Sequence, residues 1–246
     1  MRSGRVLALS GPLAAAVLLA ALTIAGCESV LPRQYEYDEE IRLSLDGSAT
    51  IYVNGSVPAL VALRGIDLDV RPTARLDRAT LRRFYASDNV RVSRISTSRR
   101  QGRRFVHLRL AVDDVGRLGE SQAFAWASYQ LRLEGDQYIY KQAVGAPVGR
   151  DVGDVGWTGN ELVAFRMHLP SRILYHDAPS KQVERGNILI WEQRLSDRLQ
   201  GEPVRMEVRM EAESILYSTL WLFAAMGVVV IVLFAGILWW LMRRKA

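Results

Sequence analysis

Seven arginines lie between Asp88 and Asp113, and no acidic residue interrupts them. A guanidinium group binds phosphate and carboxylate groups through two parallel hydrogen bonds, so this run could contact the headgroups of anionic lipids or another polyanion. The alternative is that the arginines pair with the acidic flanking segments or lie solvated on an exposed hairpin. The candidate headgroup contacts are Arg91, Arg94, Arg99, Arg100, Arg103, Arg104 and Arg109.

The only cysteine, Cys27, follows a segment that is typical of an exported protein. Two arginines precede a long apolar stretch, which ends in Ile-Ala-Gly-Cys at residues 24–27. This ending is similar to a bacterial lipobox, whose cysteine receives a diacylglyceryl group, with chains such as palmitate, and becomes the first residue after cleavage. We therefore predict a signal peptide over residues 1–26 and a lipidated tether over residues 27–33. The alternative is an uncleaved signal anchor with a buried thiol.

No residue pattern indicates catalysis or metal binding. The histidines lack the spacing of a zinc site, and the sequence has no nucleophile elbow, P-loop or dinucleotide fingerprint. We therefore predict no catalytic residue, no metal and no cofactor, with the histidines in structural roles; these are His107, His168 and His176. An enzyme site would have to be assembled from scattered acids, namely Asp113, Asp114, Asp151 and Asp154.

The C-terminal segment 215–242 contains no charged side chain. A bilayer core needs about 20 apolar residues in a helix, so this segment predicts a transmembrane helix. Bases follow it at residues 243–246, which places the tail in the cytoplasm and the domain 34–213 outside the cell. Aromatic side chains near both ends are predicted membrane-interface anchors: Tyr217, Trp221, Trp239 and Trp240.

The formal net charge of +6 arises almost entirely from the two ends of the chain. Without the five bases of the terminal segments, 27 basic and 26 acidic residues remain between residues 28 and 214. A basic pI that comes from topology signals does not indicate nucleic acid, so we expect no nucleic-acid partner.

Period-two alternation dominates the domain and predicts strands. Residues 35–45 alternate apolar and polar, and Asp46-Gly47 is a turn signal. A three-residue loop would pair Leu43 with Ile51 and Ile41 with Val53, which keeps apolar residues opposite each other. A two-residue loop would break this match.

The remaining pattern predicts an α+β fold with a mainly antiparallel sheet, a few short helices and the C-terminal transmembrane helix. Three tryptophans of the domain could line a ligand groove, although packing in the core accounts for them as well; these are Trp126, Trp157 and Trp191. We predict strands over 90–95, 103–112, 129–133, 138–143, 161–169, 188–192 and 204–211, helices over 56–63, 75–86 and 193–199, and a loop over 145–160.

The segment Gly186-Asn187, followed by Trp191, resembles the C-terminal part of the LppM-type bacterial lipoproteins. The layout is similar too, since those proteins have a lipobox, an early hairpin with an Asp-Gly turn, and one C-terminal spanning helix with a basic tail. The resemblance implies a non-enzymatic α/β domain that faces the cell envelope and associates with its lipids or glycolipids. It supplies no catalytic residues.

Two functions are consistent with this sequence. The first is a membrane-anchored envelope lipoprotein whose outer domain binds an anionic or glycosylated lipid. The second is an accessory or scaffold subunit of a membrane-protein assembly. The two predicted anchors and the lack of a catalytic motif are consistent with this function as well as with the first. Both place the domain outside the cell membrane, and their partners are membrane lipids or a membrane protein.

Overall fold

A computed structural model describes residues 35–213 and 215–243. The signal peptide, Cys27, the tether and residues 244–246 lie outside the described residues, so the predictions made for them stay predictions. Within the described residues, strands predominate over a few short helices, most strand pairs are antiparallel, and one long helix follows the last strand. The predicted α+β fold class is therefore confirmed.

The larger sheet contains six strands, whose alternating burial follows the alternating sequence. They are β1 (Tyr35–Leu43), β2 (Ala49–Ser56), β3 (Val90–Arg100), β4 (Arg103–Val112), β7 (Leu162–His168) and β9 (Ile188–Arg194). Their order is β3-β4-β2-β1-β7-β9; β1 and β7 run parallel, and the other neighbours run antiparallel. We define the inner face as the side of β1 with Tyr37 and Ile41, which are buried, and the outer face as the side with Glu40 and Arg42.

The smaller sheet contains four antiparallel strands in the order β5-β6-β10-β8. These are β5 (Ala127–Glu134), β6 (Gln137–Val144), β8 (Ile173–His176) and β10 (Val204–Glu211). The bounds of β10 agree with the prediction, because its alternation of apolar and charged residues is uninterrupted. Strand β8 was not predicted from the sequence, since four residues are too few to show a period.

Short helices close the space between the strands. Helix α1 (Val57–Arg64) is buried along its whole length, begins at the cap Ser56 and ends at Gly65 with φ of 70°. Two further short α-helices are α2 (Arg78–Tyr85), capped by Asp77, and α3 (Leu195–Leu199). Two 3₁₀ helices, Val115–Glu120 and Gln122–Phe124, connect β4 to β5. All residues of the continuous apolar core lie between Tyr37 and Met210. The domain 35–213 thus contains its own core and is expected to fold without the C-terminal helix.

The first hairpin differs from the predicted register by two residues. Leu43 lies opposite Ala49 and Ile41 opposite Ile51, so the loop contains five residues, 44–48, and not three. The carboxylate of Asp46 accepts hydrogen bonds from the backbone N–H and the hydroxyl of Ser48, at 3.0 and 2.7 Å, which stabilises the longer loop. A shift of two residues leaves every side chain on the face that the alternation predicted.

Helix α4 (Ile215–Arg243) follows β10 after three residues. Among the described residues, one stretch, Leu220–Ile237, is long and apolar enough to cross a membrane, and none of it is buried in the protein. The domain contributes no apolar cover for this helix. Its length and composition are compatible with membrane association.

Candidate functional site

The arginine run folds into the β3–β4 hairpin, and strand pairing divides it between the two faces of the sheet. Directly opposed residues of antiparallel strands share a face. Arg94 lies opposite Arg109, Arg100 opposite Arg103, and Arg99 opposite Arg104. Three pairs of like charges therefore face each other across one hairpin, although such pairs destabilise a sheet.

The outer-face arginines form a cationic surface, which we name the outer arginine face; it consists of Arg91, Arg94, Arg100 and Arg109, all of them exposed. Arg109 also lies over the ring of Tyr52, 5.8 Å from its centroid, and Arg100 lies over Phe105 at 4.3 Å. Arg91 pairs with Asp113 at 3.3 Å in an exposed contact.

The acids of the outer face already have cationic partners. They lie on β1, where Arg166 binds Asp38 and Arg42 donates to Glu40 at 2.7 Å. Nε2 of His168 also lies 3.1 Å from Glu40. Among the described residues, by contrast, no carboxylate lies within 4.0 Å of Arg94 or Arg109. Two opposed guanidinium groups are thus left without a counter-ion in the domain.

Two of the predicted headgroup contacts are buried and need correction. Arg103 is 7 % exposed, and its guanidinium binds the buried carboxylate of Glu36 at 2.9 Å and the carbonyl of Gly156 at 2.7 Å. Arg104 is 8 % exposed and donates to the carbonyls of Ala74 and Asp69. Both side chains hold loops onto the hairpin, so neither belongs to its exposed cationic surface.

A cavity of about 370 Å³ lies on the other side of the hairpin. We name it the Arg104 cavity, after the buried cation in its wall. None of its lining residues is acidic: it is lined by Val57, Thr73, Ala74, Arg75, Leu76, Thr97, Ser98, Arg99, Arg104 and Phe105. Burial lowers the pKa of Arg104, and its Nε has no hydrogen-bond partner among the described residues.

A chain of polar side chains crosses the outer face beside the arginines. The hydroxyl of Ser98 lies 2.8 Å from Nε2 of His107, and Nδ1 of His107 lies 2.9 Å from Oδ1 of Asn54. Asn54 in turn donates to Asp38 at 3.4 Å. Burial and the charge of Arg100 lower the pKa of His107, which favours the neutral ring, in which Nε2 can accept from the hydroxyl of Ser98. The predicted structural role of this histidine agrees with these contacts.

The core contains an ion pair that sequence reasoning did not predict. Arg64 donates to Glu39 at 2.8 Å, and neither side chain is more than 1 % exposed. The guanidinium carbon lies 4.3 Å from the ring centroid of Trp126 and 5.0 Å from that of Phe124. Burial raises the pKa of the neighbouring Tyr85 to about 12. The signal that could have revealed this pair is Glu39 itself, a carboxylate on the apolar side of an alternating strand.

The other candidate residues lie apart from the hairpin. Trp126 and Trp191 are buried, and Trp191 donates to Asp177 at 3.0 Å, so packing accounts for both. Asp151 and Asp154 accept from backbone N–H groups two residues later and form loop turns. Trp221, Trp239 and Trp240 are exposed on α4, near the two ends of its apolar stretch, and Tyr217 also lies on α4.

Comparisons with known proteins show a weak similarity of fold. No protein-family model matches the chain. No curated relative matches it either. A solved structure that is similar is the folded domain of Mycobacterium tuberculosis LppM, with 14 % identity over 76 % of this chain and 95 % of that domain, and a TM-score of 0.39. This likeness indicates at most a distant relationship to the LppM fold, and we draw no functional argument from it.

Proposed function

We propose that this protein is a membrane-anchored envelope lipoprotein whose domain binds the anionic or glycosylated headgroups of envelope lipids. The domain would act as a binding module and catalyse no reaction. The observation that carries this proposal is the exposed Arg94–Arg109 pair, in which two cations oppose each other without a counter-ion from the described part of the chain. An anionic headgroup between them would supply that counter-ion.

The predicted acylation of Cys27 would also keep the tip of this hairpin near a membrane. Arg100 donates to the carbonyl of Tyr35, so the hairpin tip lies beside the first described residue of the domain. Tyr35 lies eight residue steps after Cys27, and a fully extended chain of that length reaches at most about 28 Å. With Cys27 acylated, Tyr35 and the Arg100 end of the outer arginine face would remain within about this distance of the headgroup layer.

Flotation of the domain 35–213 with lipid vesicles tests the proposal. The fragment lacks both anchors, so any binding must come from its surface. We expect it to float with vesicles that contain phosphatidylglycerol, to remain unbound with phosphatidylcholine alone, and to dissociate as salt screens the charges. Equal binding to neutral and anionic vesicles would contradict a headgroup contact through arginine.

The accessory-subunit function has one observation in its favour. Leu174 and Tyr175 are 41 % and 49 % exposed on β8, which is an edge strand of the smaller sheet. An exposed apolar edge near the start of α4 suits contact with a membrane-protein partner. A partner that co-purifies in mild detergent, and is lost when α4 is exchanged for an unrelated spanning helix, would favour this second function over lipid binding.

A further inference from the structure

The Arg104 cavity contains a buried cation that forms no ion pair with a carboxylate of the described residues; the charge of Asp69 acts on it only from beyond 4.0 Å. Of the buried arginines described above, Arg64 binds Glu39 and Arg103 binds Glu36. Arg104 donates only to two backbone carbonyls, and among the described residues it has no carboxylate within 4.0 Å. The carboxylate of Asp69, whose carbonyl it binds, is instead paired with Arg71 at 2.5 Å. A buried charge without a paired counter-ion is destabilising, so this cation favours an anion beside it.

The groups around Arg104 match the chemistry of an anion site. Arg75 and Arg99 are exposed at the cavity and add two further guanidinium groups, and Thr73 and Thr97 add hydroxyl donors. The described lining of this cavity contains three arginines and no acidic residue. The volume of about 370 Å³ falls in the range of small-ligand pockets and exceeds what a bare ion requires.

We propose that the Arg104 cavity binds a phosphate group, with Arg104 as its buried counter-ion and Arg75 and Arg99 at its opening. Three guanidinium forks around one cavity suit a tetrahedral oxyanion, because each can donate two parallel hydrogen bonds. The phosphate would belong either to a soluble phosphorylated sugar or to a lipid headgroup, since both present the same group. This site lies on the opposite side of the hairpin from Arg94 and Arg109, and it does not depend on the headgroup proposal.

Calorimetric titration of the full-length protein in neutral detergent micelles tests this site. The probes are inorganic phosphate, glucose 1-phosphate and dihexanoylphosphatidylglycerol below its micelle concentration, with glucose as the uncharged control. We expect saturable binding of at least one phosphate probe and none of glucose. Tighter binding of glucose 1-phosphate would identify a soluble ligand, and tighter binding of the short-chain lipid would identify a headgroup.

The decisive variant is R75Q/R99Q, because both side chains are exposed and their loss should leave the fold intact. We expect its phosphate affinity to fall by about tenfold or more for each removed guanidinium, while the matched variant R78Q/R82Q on α2 binds as the wild type does. R104K keeps the charge but loses the fork, and should also bind more weakly.

Two outcomes overturn the proposal: no phosphate probe binds the wild-type protein, or binding is unchanged in R75Q/R99Q. Loss of vesicle flotation in R94Q/R109Q with intact phosphate binding would show that the two sites act separately.

Discussion

At the residue scale, Arg64 and Glu39 form an ion pair that is buried in the core. Both groups are excluded from water, so each depends on the other for compensation of its charge. Tyr37 adds a hydroxyl that donates to Glu39 at 2.7 Å. The aromatic rings around the guanidinium stabilise the cation further. Removing one partner therefore differs sharply from removing both.

We expect E39Q to lower the free energy of unfolding of the domain by about 3–5 kcal/mol, because it leaves a buried cation without its counter-ion. The double variant E39M/R64M should recover most of this loss, since apolar side chains of similar size remove both charges. Urea unfolding of residues 35–213 measures both. A loss below about 1 kcal/mol in E39Q would mean that Arg64 is compensated by other groups.

His107 predicts a pH dependence of stability. Its pKa is lowered in the folded domain, so the unfolded chain takes up a proton at higher pH than the folded chain does. The stability contributed by neutral His107 is present above its ordinary pKa of about 6.5 and is lost as the pH falls through the lowered value. A protonated ring can no longer accept from Ser98.

Thermal unfolding at pH 7.5 and pH 5.5 checks this sign. We expect the melting temperature of the wild-type domain to fall at pH 5.5, and the fall to be smaller in H107Q. His168 has a lowered pKa for a similar reason, so H168Q provides a second comparison. An identical pH dependence of the melting temperature in the wild type and H107Q would show that His107 does not contribute to it.

At the element scale, the concentration of arginines on the β3–β4 hairpin lowers the stability of the domain. Its three opposed arginine pairs cost stability, and only two of them are relieved by a buried member that binds other groups. The pair of Arg94 and Arg109 remains unrelieved within the described chain. Residues that lower the stability of a fold are often those that a protein needs for its function, such as binding.

Replacing Arg94 by threonine should therefore stabilise the domain while it weakens binding to anionic vesicles. Threonine fits an exposed strand and removes the like-charge contact, so we expect a gain of about 0.5 kcal/mol in the free energy of unfolding. Urea unfolding and vesicle flotation of the same R94T domain measure the two effects. If the R94T domain is less stable than the wild type, or floats with vesicles as well as the wild type does, Arg94 does not lower stability while it supports binding.

Local sequence patterns predicted much of this hairpin and of the fold. The alternation of apolar and polar residues predicted β4 and β10, and the capping residues Ser56 and Gly65 predicted α1. The same alternation could not show that Arg103 and Arg104 are buried, because their partners lie on loops and strands that are distant in sequence. The Arg104 cavity was missed for the same reason, since Arg75 and Arg99 meet only in the folded chain.

At the scale of the whole molecule, the domain is held between two proposed attachments to the membrane. The chain enters the larger sheet at Tyr35 and leaves the smaller sheet at Glu211, three residues before α4. This arrangement would restrict the distance of both sheets from the bilayer. The basic tail predicts that the domain lies outside the cytoplasm, and this prediction can be measured directly.

We expect a cysteine at an exposed strand end, introduced by E134C, to react with a membrane-impermeant maleimide in intact cells. A cysteine introduced by K245C should react only after permeabilisation, because the bases after the helix are predicted to stay in the cytoplasm. The parent chain controls for Cys27, which should be blocked by acylation. The reverse labelling pattern would place the domain in the cytoplasm and exclude an envelope function.

The partition of R94Q/R109Q between water and vesicles tests most directly whether the opposed, exposed arginines bind anionic headgroups. Each basic residue near an anionic surface contributes about 1 kcal/mol. We therefore predict that the partition coefficient of residues 35–213 on phosphatidylglycerol vesicles falls by about 30-fold in this variant. The matched variant R78Q/R82Q, which removes the same charge from α2, should fall much less. Equal losses in the two variants would contradict the claim, because net charge alone would then account for binding.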